Sequence, residues 1–224
     1  KGELMIALKA GINSKKIVFS GVGKTRPELS YAIDKNILLI NCESKSEIFE
    51  IESIAKSKNK KILLINAESF SEILEIEKIA KSQKKNIDIG IRLNPNTDAN
   101  TLRQISTGKK ENKFGVSEKI FLELVEYCKN SKNLNLKCLS VHIGSQIVNH
   151  QPYQKMLKVI DKIIKKSKHK FEFIDLGGGM GISYNNTIKK LNYKKYSSSI
   201  YKFNKFHKSK IIFEPGRSII GNTG

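Results

Sequence analysis

Hydrophobic residues along the chain alternate between short continuous runs and helical stripes. The runs are rich in Ile, Leu, Val and Phe, as expected of strands buried on both faces, and the seven predicted strands are Lys16–Ser20, Ile37–Asn41, Ile62–Asn66, Ile87–Asn94, Leu136–Ile143, Phe171–Leu176 and Lys210–Glu214. Apolar residues spaced by three and four predict helices between them, at Pro27–Asp34, Ser44–Lys58, Ser69–Gln83, Ser117–Lys129, Pro152–Lys168 and about Tyr193–His207. This alternation predicts an α/β fold with a parallel sheet covered by helices.

One strand–helix unit occurs twice in succession. The segment NILLINCESKSEIFEIESIAKSKNK (36–60) is followed by KILLINAESFSEILEIEKIAKSQKK (61–85), with 18 of 25 positions identical. Each copy predicts a helix that begins with a capping box, Ser44 with Glu47 and Ser69 with Glu72. Because the identity extends to polar surface positions, we interpret the repeat as a recent tandem duplication, with an assembly or cloning artefact as the alternative. In a closed barrel, an extra unit would strain closure or be looped out.

Glycines and polar residues follow the last two predicted strands. FIDLGGGMGISY (173–184) contains three consecutive glycines, and FEPGRSI (213–219) places an acid, a Pro-Gly turn and an arginine after the next strand. Backbone N–H groups after two neighbouring strands form the phosphate site of TIM barrels, and the arginine fork matches phosphate or carboxylate. We therefore predict a phosphate site in a partial TIM (β/α)8 barrel. A tight turn packed against its neighbours is the alternative explanation of the glycines.

Two further motifs lie at strand ends. VHIGSQI (141–147) places His142 and Ser145 at the same predicted rim, where a structural and a ligand-binding role for the histidine are both compatible with the pattern. SGVGKT (20–25) precedes a helix, but the P-loop pattern requires a glycine where Val18 stands. We interpret SGVGKT as a tight strand-to-helix turn.

Composition excludes several classes of function. The formal charge is +20, but the basic residues are mostly lysines spread along the chain, without the interleaved aromatic residues of a base-stacking surface. We expect no nucleic-acid partner, and steep salt dependence of polyanion binding would support the opposite view. The three cysteines fit neither a disulfide framework nor a zinc site, and no apolar run is long enough to span a membrane. We expect a cytoplasmic location, no metal and no membrane partner.

Five motifs occur in an order that resembles a known family. They are RLNPNTDANT (92–101), ISTGKKENKFGV (105–116), HIGSQI (142–147), DLGGGMGI (175–182) and EPGRSI (214–219). In this order they resemble the diaminopimelate decarboxylase family of alanine-racemase-like, pyridoxal phosphate (PLP) dependent enzymes, over nearly the whole chain except one copy of the repeat. The resemblance implies PLP as cofactor and decarboxylation of meso-2,6-diaminopimelate to L-lysine and CO2 in the complete enzyme. A sister decarboxylase of the ornithine or arginine type is the alternative.

The resemblance also implies roles for individual residues. His142 is expected to stack on the pyridine face, and Arg92 to lie near the ring as support. Glu214 is expected to bond the pyridine nitrogen and keep it protonated, so that the ring accepts the electrons released with CO2. The residues expected to hold the phosphate are Ser145, Gly177, Gly178, Gly179, Pro215, Gly216 and Arg217. Arg217 is expected to reach a substrate carboxylate as well.

Two parts of the family pattern are expected outside the chain. The cofactor-binding lysine belongs to the first barrel strand, which would precede Lys1, and KGEL (1–4) would be the end of the second strand. The C-terminal β-domain would follow Gly224. We expect this barrel domain, 1–224, to be inactive and poorly soluble or oligomeric alone, and the complete enzyme to be a homodimer. A truncated remnant that retains only a phosphate site is the second hypothesis.

Overall fold

The computed structural model describes residues 1–42, 44–60, 64–97, 114–184 and 191–221. The strands are β1 (Val18–Phe19), β2 (Leu39–Asn41), β3 (Leu64–Ala67), β4 (Ile87–Arg92), β5 (Leu134–Ser140), β6 (Phe173–Asp175) and β7 (Lys210–Ile212). The helices are α1 (Gly2–Lys9), α2 (Arg26–Asp34), α3 (Lys45–Ser57), α4 (Phe70–Ser82), α5 (Glu118–Asn130), α6 (Gln151–Ser167), α7 (Tyr193–His207) and α8 (Gly216–Ile220). Residues 98–101 of the RLNPNTDANT motif and residues 105–113 of the ISTGKKENKFGV motif, which include Lys109, Lys110 and Lys113, lie outside the described residues.

The first of two structural units comprises Lys1–Ile91 and Tyr127–Leu136. Strands β1 to β4 pair in parallel and in chain order, as the alternating pattern predicted. Helices α3 and α4 each bury their predicted apolar stripe. The stripe of α3 is Ile48, Ile51, Ile54 and Ala55, and that of α4 is Ile73, Ile76, Ile79 and Ala80. The spacing of isoleucines along each helix therefore determines which face lies against the sheet.

The second unit comprises Arg92–Glu126 and Lys137–Gly224. Its strands β5, β6 and β7 also pair in parallel, and Asp175 at the end of β6 lies between Ser140 and Ile212. Helix α6 buries one apolar face, which consists of Pro152, Tyr153, Met156, Leu157, Ile160 and Ile163. Because the strands run in the same direction, the loops that follow β5, β6 and β7 meet at one edge of this unit.

Both copies of the repeat belong to the sheet of the first unit. The strands of the copies, β2 and β3, pair so that each residue lies beside its own duplicate: Leu39 with Leu64, Ile40 with Ile65 and Asn41 with Asn66. The side chains of the last pair are hydrogen-bonded, with Asn66 Nδ2 2.7 Å from Asn41 Oδ1. The extra unit is thus incorporated as a paired strand, and of the two alternatives, strained closure or a looped-out unit, the second is wrong.

Several positions that differ between the copies make contacts specific to their copy. In the first copy, Lys58 Nζ lies 2.6 Å from the Asp34 carboxylate on α2, whereas its counterpart Gln83 donates to Glu52, at 2.7 Å. In the second copy, the ring of Phe70 packs on Tyr127, with centroids 5.6 Å apart. A lysine stands at the matching position of the first copy. The divergent positions therefore make contacts that fit their own copy, and the tandem duplication stays an interpretation.

Three local predictions need correction or refinement. Lys1–Leu4 is not the end of a strand, because α1 begins at Gly2 in a segment, GELMIALK, composed mostly of good helix formers. The serine hydroxyls of the two predicted capping boxes do cap α3 and α4, accepting from the Glu47 and Glu72 N–H groups. The carboxylates also accept from donors that the pattern did not predict, Glu47 from the Lys24 ammonium and Glu72 from the Glu68 N–H.

Candidate functional site

The predicted site residues lie in the second unit, just beyond the ends of four strands. Arg92 ends β4, His142 and Ser145 follow β5, and the glycine run follows β6. Glu214, Pro215, Gly216 and Arg217 follow β7, and the last two begin α8. Contacts between the side chains and backbones of these loops bring the predicted residues into one cluster. This convergence follows from the parallel strands, because each loop leaves the sheet at the same edge.

The glycine run is held between the loops on either side of it. Gly177 and Gly179 have φ values of 62° and 87°, which residues other than glycine rarely adopt. A Cβ on Gly178 would lie 2.1 Å from the Glu214 carbonyl oxygen, and one on Gly179 2.1 Å from the Gly144 carbonyl oxygen. Close backbone approach therefore explains the glycines without any ligand, as the alternative explanation held. Their role in holding a phosphate stays a prediction.

An arginine and a serine face each other across this edge. Arg217 Nε donates to Ser145 Oγ at 3.1 Å, and its Nη1 donates to the Tyr184 hydroxyl. No described atom lies within 4 Å of the place where a Cβ on Gly216 would be. Among the described residues, the N–H of Gly179 has no hydrogen-bond acceptor. This set of donors beside open space fits a phosphate monoester.

His142 is oriented by the glycine run. Its Nδ1 accepts from the Gly178 N–H at 3.2 Å, which places the ring proton on Nε2. The pKa of His142 is lowered to about 4, mainly by burial and also by the nearby Arg92 guanidinium, while Glu214 works in the opposite direction. The imidazole is therefore neutral at pH 7 and presents an uncharged ring. Arg92 itself stacks over Phe114, 5.2 Å from the ring centroid.

Two residues of the site are absent from the sequence-based prediction. Asp175, the last residue of β6, is fully buried, and its Oδ1 accepts from the Gly177 N–H at 2.9 Å. Tyr153 on α6 is also buried and donates to the Gly178 carbonyl oxygen at 3.1 Å. The sequence does carry a signal for Asp175, because an acidic residue in an apolar strand, two positions before the first glycine, is unusual. Nothing in the helical stripe of α6 distinguishes Tyr153 from ordinary core residues.

An apolar groove of about 930 Å³ lies beside α7. Tyr193, Tyr196, Phe213 and Met180 contribute to its lining, and Pro215 is the predicted site residue that it reaches. Within the described residues, no cluster of acidic, cysteine or histidine side chains is arranged to hold a metal, and no helix is long and apolar enough to cross a membrane. All three cysteines are buried, and none of them forms a disulfide.

Comparison with protein families identifies a matching domain. The pyridoxal binding domain of pyridoxal-dependent decarboxylases matches residues 1–69 and 52–221. The two matched segments overlap at residues 52–69, inside the repeat, as expected when one unit of the domain is present twice. The match supports the predicted PLP-binding barrel.

Comparison with individual proteins gives diaminopimelate decarboxylases. The chain is 40% identical to the enzyme of Helicobacter pylori over 229 residues and 35% identical to that of Campylobacter jejuni over 226. These alignments cover 100% of the chain and 49% and 50% of the relatives. The chain thus spans about half the length of the curated relatives it matches.

Solved structures agree with these relatives. The crystal structure of diaminopimelate decarboxylase from Helicobacter pylori complexed with L-lysine superimposes with a TM-score of 0.73 and 38% identity, covering 97% of this chain and 50% of that one. A lysine/ornithine decarboxylase from Vibrio vulnificus, at 16% identity and a TM-score of 0.62, shares the fold. These findings confirm the predicted fold class, the family resemblance and PLP as the family's cofactor.

Proposed function

Because this chain belongs to the pyridoxal-dependent decarboxylase family through its pyridoxal binding domain, we propose that the protein decarboxylates meso-2,6-diaminopimelate to L-lysine and CO2 with PLP. The observation that supports this most directly is the cluster of Ser145, Arg217, His142 and Glu214 around the glycine run, in a chain 40% identical to a diaminopimelate decarboxylase. A relative of known structure was solved with L-lysine, the expected product. The sequence and the chemistry of the site thus support the same reaction.

The donors at the ends of β5, β6 and β7 are suited to the phosphate of PLP. Arg217 offers a planar, permanently charged guanidinium, and Ser145 lies within hydrogen-bond reach of it, at 3.1 Å. Of the backbone N–H groups in the glycine run, that of Gly179 has no acceptor among the described residues, whereas those of Gly177 and Gly178 donate to Asp175 and His142. We propose that the Gly179 N–H completes the cradle beside Gly216, with Pro215 fixing the turn. Arg217 is exposed, and we propose that it also meets a substrate carboxylate.

His142 and Glu214 are proposed to bind the pyridine ring. When PLP is bound, its ring takes up the electron pair released with CO2. His142, neutral and fixed by the Gly178 N–H, offers a flat apolar face for stacking. We propose that Glu214 accepts from the ring nitrogen and holds its proton there, and that Arg92 supports the site from β4.

The complete protein is proposed to act as a homodimer in the cytoplasm. The resemblance is the basis of both statements. The absence of disulfides among the buried residues Cys42, Cys128 and Cys138 is consistent with a reducing compartment. Sedimentation of the purified complete protein measures its oligomeric state, and we expect the mass of a dimer. A monodisperse monomer at high concentration would contradict it.

PLP titration into the purified chain tests the cofactor site. We expect a stoichiometric change in PLP absorbance and fluorescence, lost or weakened at least about tenfold in Arg217→Ala because a charge-assisted phosphate contact is removed. Arg26→Ala is the matched control, since Arg26 pairs with Glu50 on α3 in the other unit. Equal weakening in both variants would mean that general positive charge, and not this site, binds PLP.

Borohydride reduction after the titration tests the expectation that the cofactor-binding lysine lies outside the chain. We expect PLP to stay removable after reduction. Covalently retained PLP would show that a lysine of this chain binds it and would contradict the expectation of an inactive domain.

A substrate assay separates the candidate reactions. The protein, in the longest form that its coding sequence yields, is incubated with PLP and meso-2,6-diaminopimelate, L-ornithine or L-arginine, and CO2 and amine products are measured. Lysine formed from diaminopimelate supports the proposal, and turnover of ornithine or arginine assigns a sister decarboxylase. PLP binding without turnover of any of the three would support the remnant hypothesis.

A further inference from the structure

The side-chain amide of Gln146 joins the loop that follows β5 to the loop that follows β6. Its Nε2 donates to the Ile182 carbonyl oxygen, and its Oε1 accepts from the Ile182 N–H at 3.2 Å. One side chain therefore satisfies both backbone groups of a residue on the neighbouring loop, as a paired strand would. The roles proposed for His142 and Ser145 in the same motif leave this glutamine unexplained.

Gln146 has a backbone conformation that is costly for its residue type. Its φ is 59°, in the left-handed region that residues other than glycine, asparagine and aspartate rarely adopt. The next residue, Ile147, donates to the Gly179 carbonyl oxygen at 2.8 Å and accepts from the Gly181 N–H at 3.0 Å. A Cβ on Gly181 would lie 2.9 Å from the Gln146 carbonyl carbon. The two loops are thus joined closely here, and the surrounding hydrogen bonds hold Gln146 in its strained conformation.

The segment that Gln146 holds also contacts Arg217. Tyr184 lies two residues after Ile182, and its hydroxyl accepts from Arg217 Nη1. Arg217 Nε donates to the Ser145 hydroxyl at 3.1 Å, and Ser145 directly precedes Gln146 in the chain. These five residues therefore form a closed hydrogen-bonded circuit through the loops that follow β5, β6 and β7.

The circuit fixes the orientation of an exposed guanidinium. A surface arginine ordinarily samples many rotamers, and ordering it for a ligand costs free energy. Hydrogen bonds to two separate loops set the plane of the Arg217 guanidinium, and its Nη2 donors have no acceptor among the described residues. Because Gln146 ties one of these loops to the other, it determines where the unused Arg217 donors point.

We infer that Gln146 is a positioning residue of the proposed cofactor site, which acts through Tyr184 to aim Arg217 at a phosphate monoester. The Gln146 amide binds Ile182, so its effect on the ligand is indirect. The phosphate as ligand rests on the proposed function, whereas the hydrogen-bonded circuit is a property of the free protein.

NMR of the free chain tests the circuit without any ligand. The Arg217 Nε–H resonance, assigned by its loss in Arg217→Lys, is expected to exchange slowly with water because Ser145 holds this group. Gln146→Gly removes the amide and keeps a residue that readily adopts the observed φ, and we expect the exchange to be about fivefold faster in this variant. Gln154→Ala is the matched control, since the Gln154 amide donates to Ser199 on α7. Equal exchange in the unsubstituted chain and Gln146→Gly overturns the inference.

Comparison of PLP with pyridoxal, which lacks the phosphate, tests the positioning role. We expect Gln146→Gly to bind PLP about fivefold more weakly, the factor that one net hydrogen bond is worth, and to bind pyridoxal within about twofold of the unsubstituted chain. A general loss of structure would weaken both ligands equally, so equal weakening overturns the inference. Unchanged PLP affinity overturns it as well.

A second variant keeps the test decisive if Gln146→Gly does not fold. Tyr184 is 56% exposed, so Tyr184→Phe removes the hydroxyl that Arg217 contacts without disturbing the core. We expect faster Arg217 Nε–H exchange and PLP binding weakened about fivefold, with Tyr201→Phe on α7 as the control. Unchanged exchange and affinity in Tyr184→Phe overturn the inference. If the Arg217 Nε–H exchanges slowly but the unsubstituted chain binds neither PLP nor inorganic phosphate, the proposed function fails while the circuit stands.

Discussion

Lys24 and Glu47 form an ion pair that is almost completely buried. Lys24 Nζ lies 3.0 Å from Glu47 Oε2, and the two side chains are 3% and 9% exposed. Lys24 belongs to the SGVGKT segment, so its ammonium pairs with a neighbouring helix instead of a phosphate. In the second copy of the repeat, the equivalent Glu72 accepts from the Glu68 N–H at 2.7 Å. Identical residues in the two copies therefore have different roles.

This difference predicts unequal effects of the same substitution. Glu47→Gln leaves the buried Lys24 charge without its counter-ion and is expected to lower the free energy of unfolding by about 3 kcal/mol. Glu72→Gln is expected to change it by less than about 1 kcal/mol, or to raise it, because burial raises the pKa of Glu72 and penalises its charged form at pH 7. Urea unfolding of both variants at pH 7 measures the contrast. Equal losses would show that the two positions are equivalent.

The hydrogen bond from the Tyr153 hydroxyl to the glycine run joins α6 to the proposed cofactor site. Tyr153→Phe leaves the buried Gly178 carbonyl oxygen without its donor, so we expect a loss of about 1 kcal/mol in the free energy of unfolding. We also expect weaker PLP binding, because the glycine run is less firmly held. Tyr201→Phe is the control, since Tyr201 on α7 is 73% exposed. A stability loss with unchanged PLP affinity would restrict Tyr153 to a structural role.

Two glycines separate packing from ligand binding. Gly178→Ala places a methyl group 2.1 Å from the Glu214 carbonyl oxygen, so we expect a loss of about 2 kcal/mol or more from overpacking. Gly216→Ala meets no described atom within 4 Å and is expected to keep the free energy of unfolding. If PLP phosphate occupies the open space, Gly216→Ala nevertheless weakens PLP binding. Unchanged PLP affinity in this variant would remove Gly216 from the proposed cradle. Thermal unfolding measures the stability of the two variants, and PLP titration measures their affinity.

Much of the fold was predictable because the apolar spacing is regular. The isoleucine stripes of α3 and α4, and the serines that cap them, lie where the pattern placed them. The strand assigned to Lys1–Leu4 was wrong because it came from the resemblance, while the residues themselves favour a helix. The hydrogen-bond partners of the Glu47 and Glu72 carboxylates were not predictable. A capping box pattern cannot show that a lysine from another loop lies beside one of them.

The site was predictable in its positions but not in its interactions. The motif residues follow the ends of parallel strands, which predicts Ser145 and Arg217 at the same edge but not the hydrogen bond between them. The glycine run is ambiguous in sequence, because a neighbouring backbone and a bound anion both require the absence of a side chain. Asp175 was missed for a physical reason: its significance lies in its burial and in its contacts with Gly177 and Ser140, and Ser140 is 35 positions away in the chain.

The protonation state of His142 can be measured in the free protein. Its pKa is lowered from the ordinary 6.5 to about 4, first by burial and then by Arg92. Because the folded-state pKa is below the unfolded value, the unfolded chain binds the proton more tightly. Stability is then complete above pH 6.5 and falls between about pH 6.5 and 4, by on the order of 3 kcal/mol for this group.

Histidine NMR titration gives the His142 pKa directly, and two variants test its causes with opposite signs. Arg92→Gln removes a positive charge and is expected to raise the His142 pKa, whereas Glu214→Gln removes a negative charge and is expected to lower it. Assignment follows from the resonance lost in His142→Gln. A midpoint near 6.5 in the unsubstituted chain would contradict the burial, and with it the uncharged ring proposed to stack on PLP. Shifts of the same sign in both variants would instead indicate that His142 moves when either neighbour is replaced.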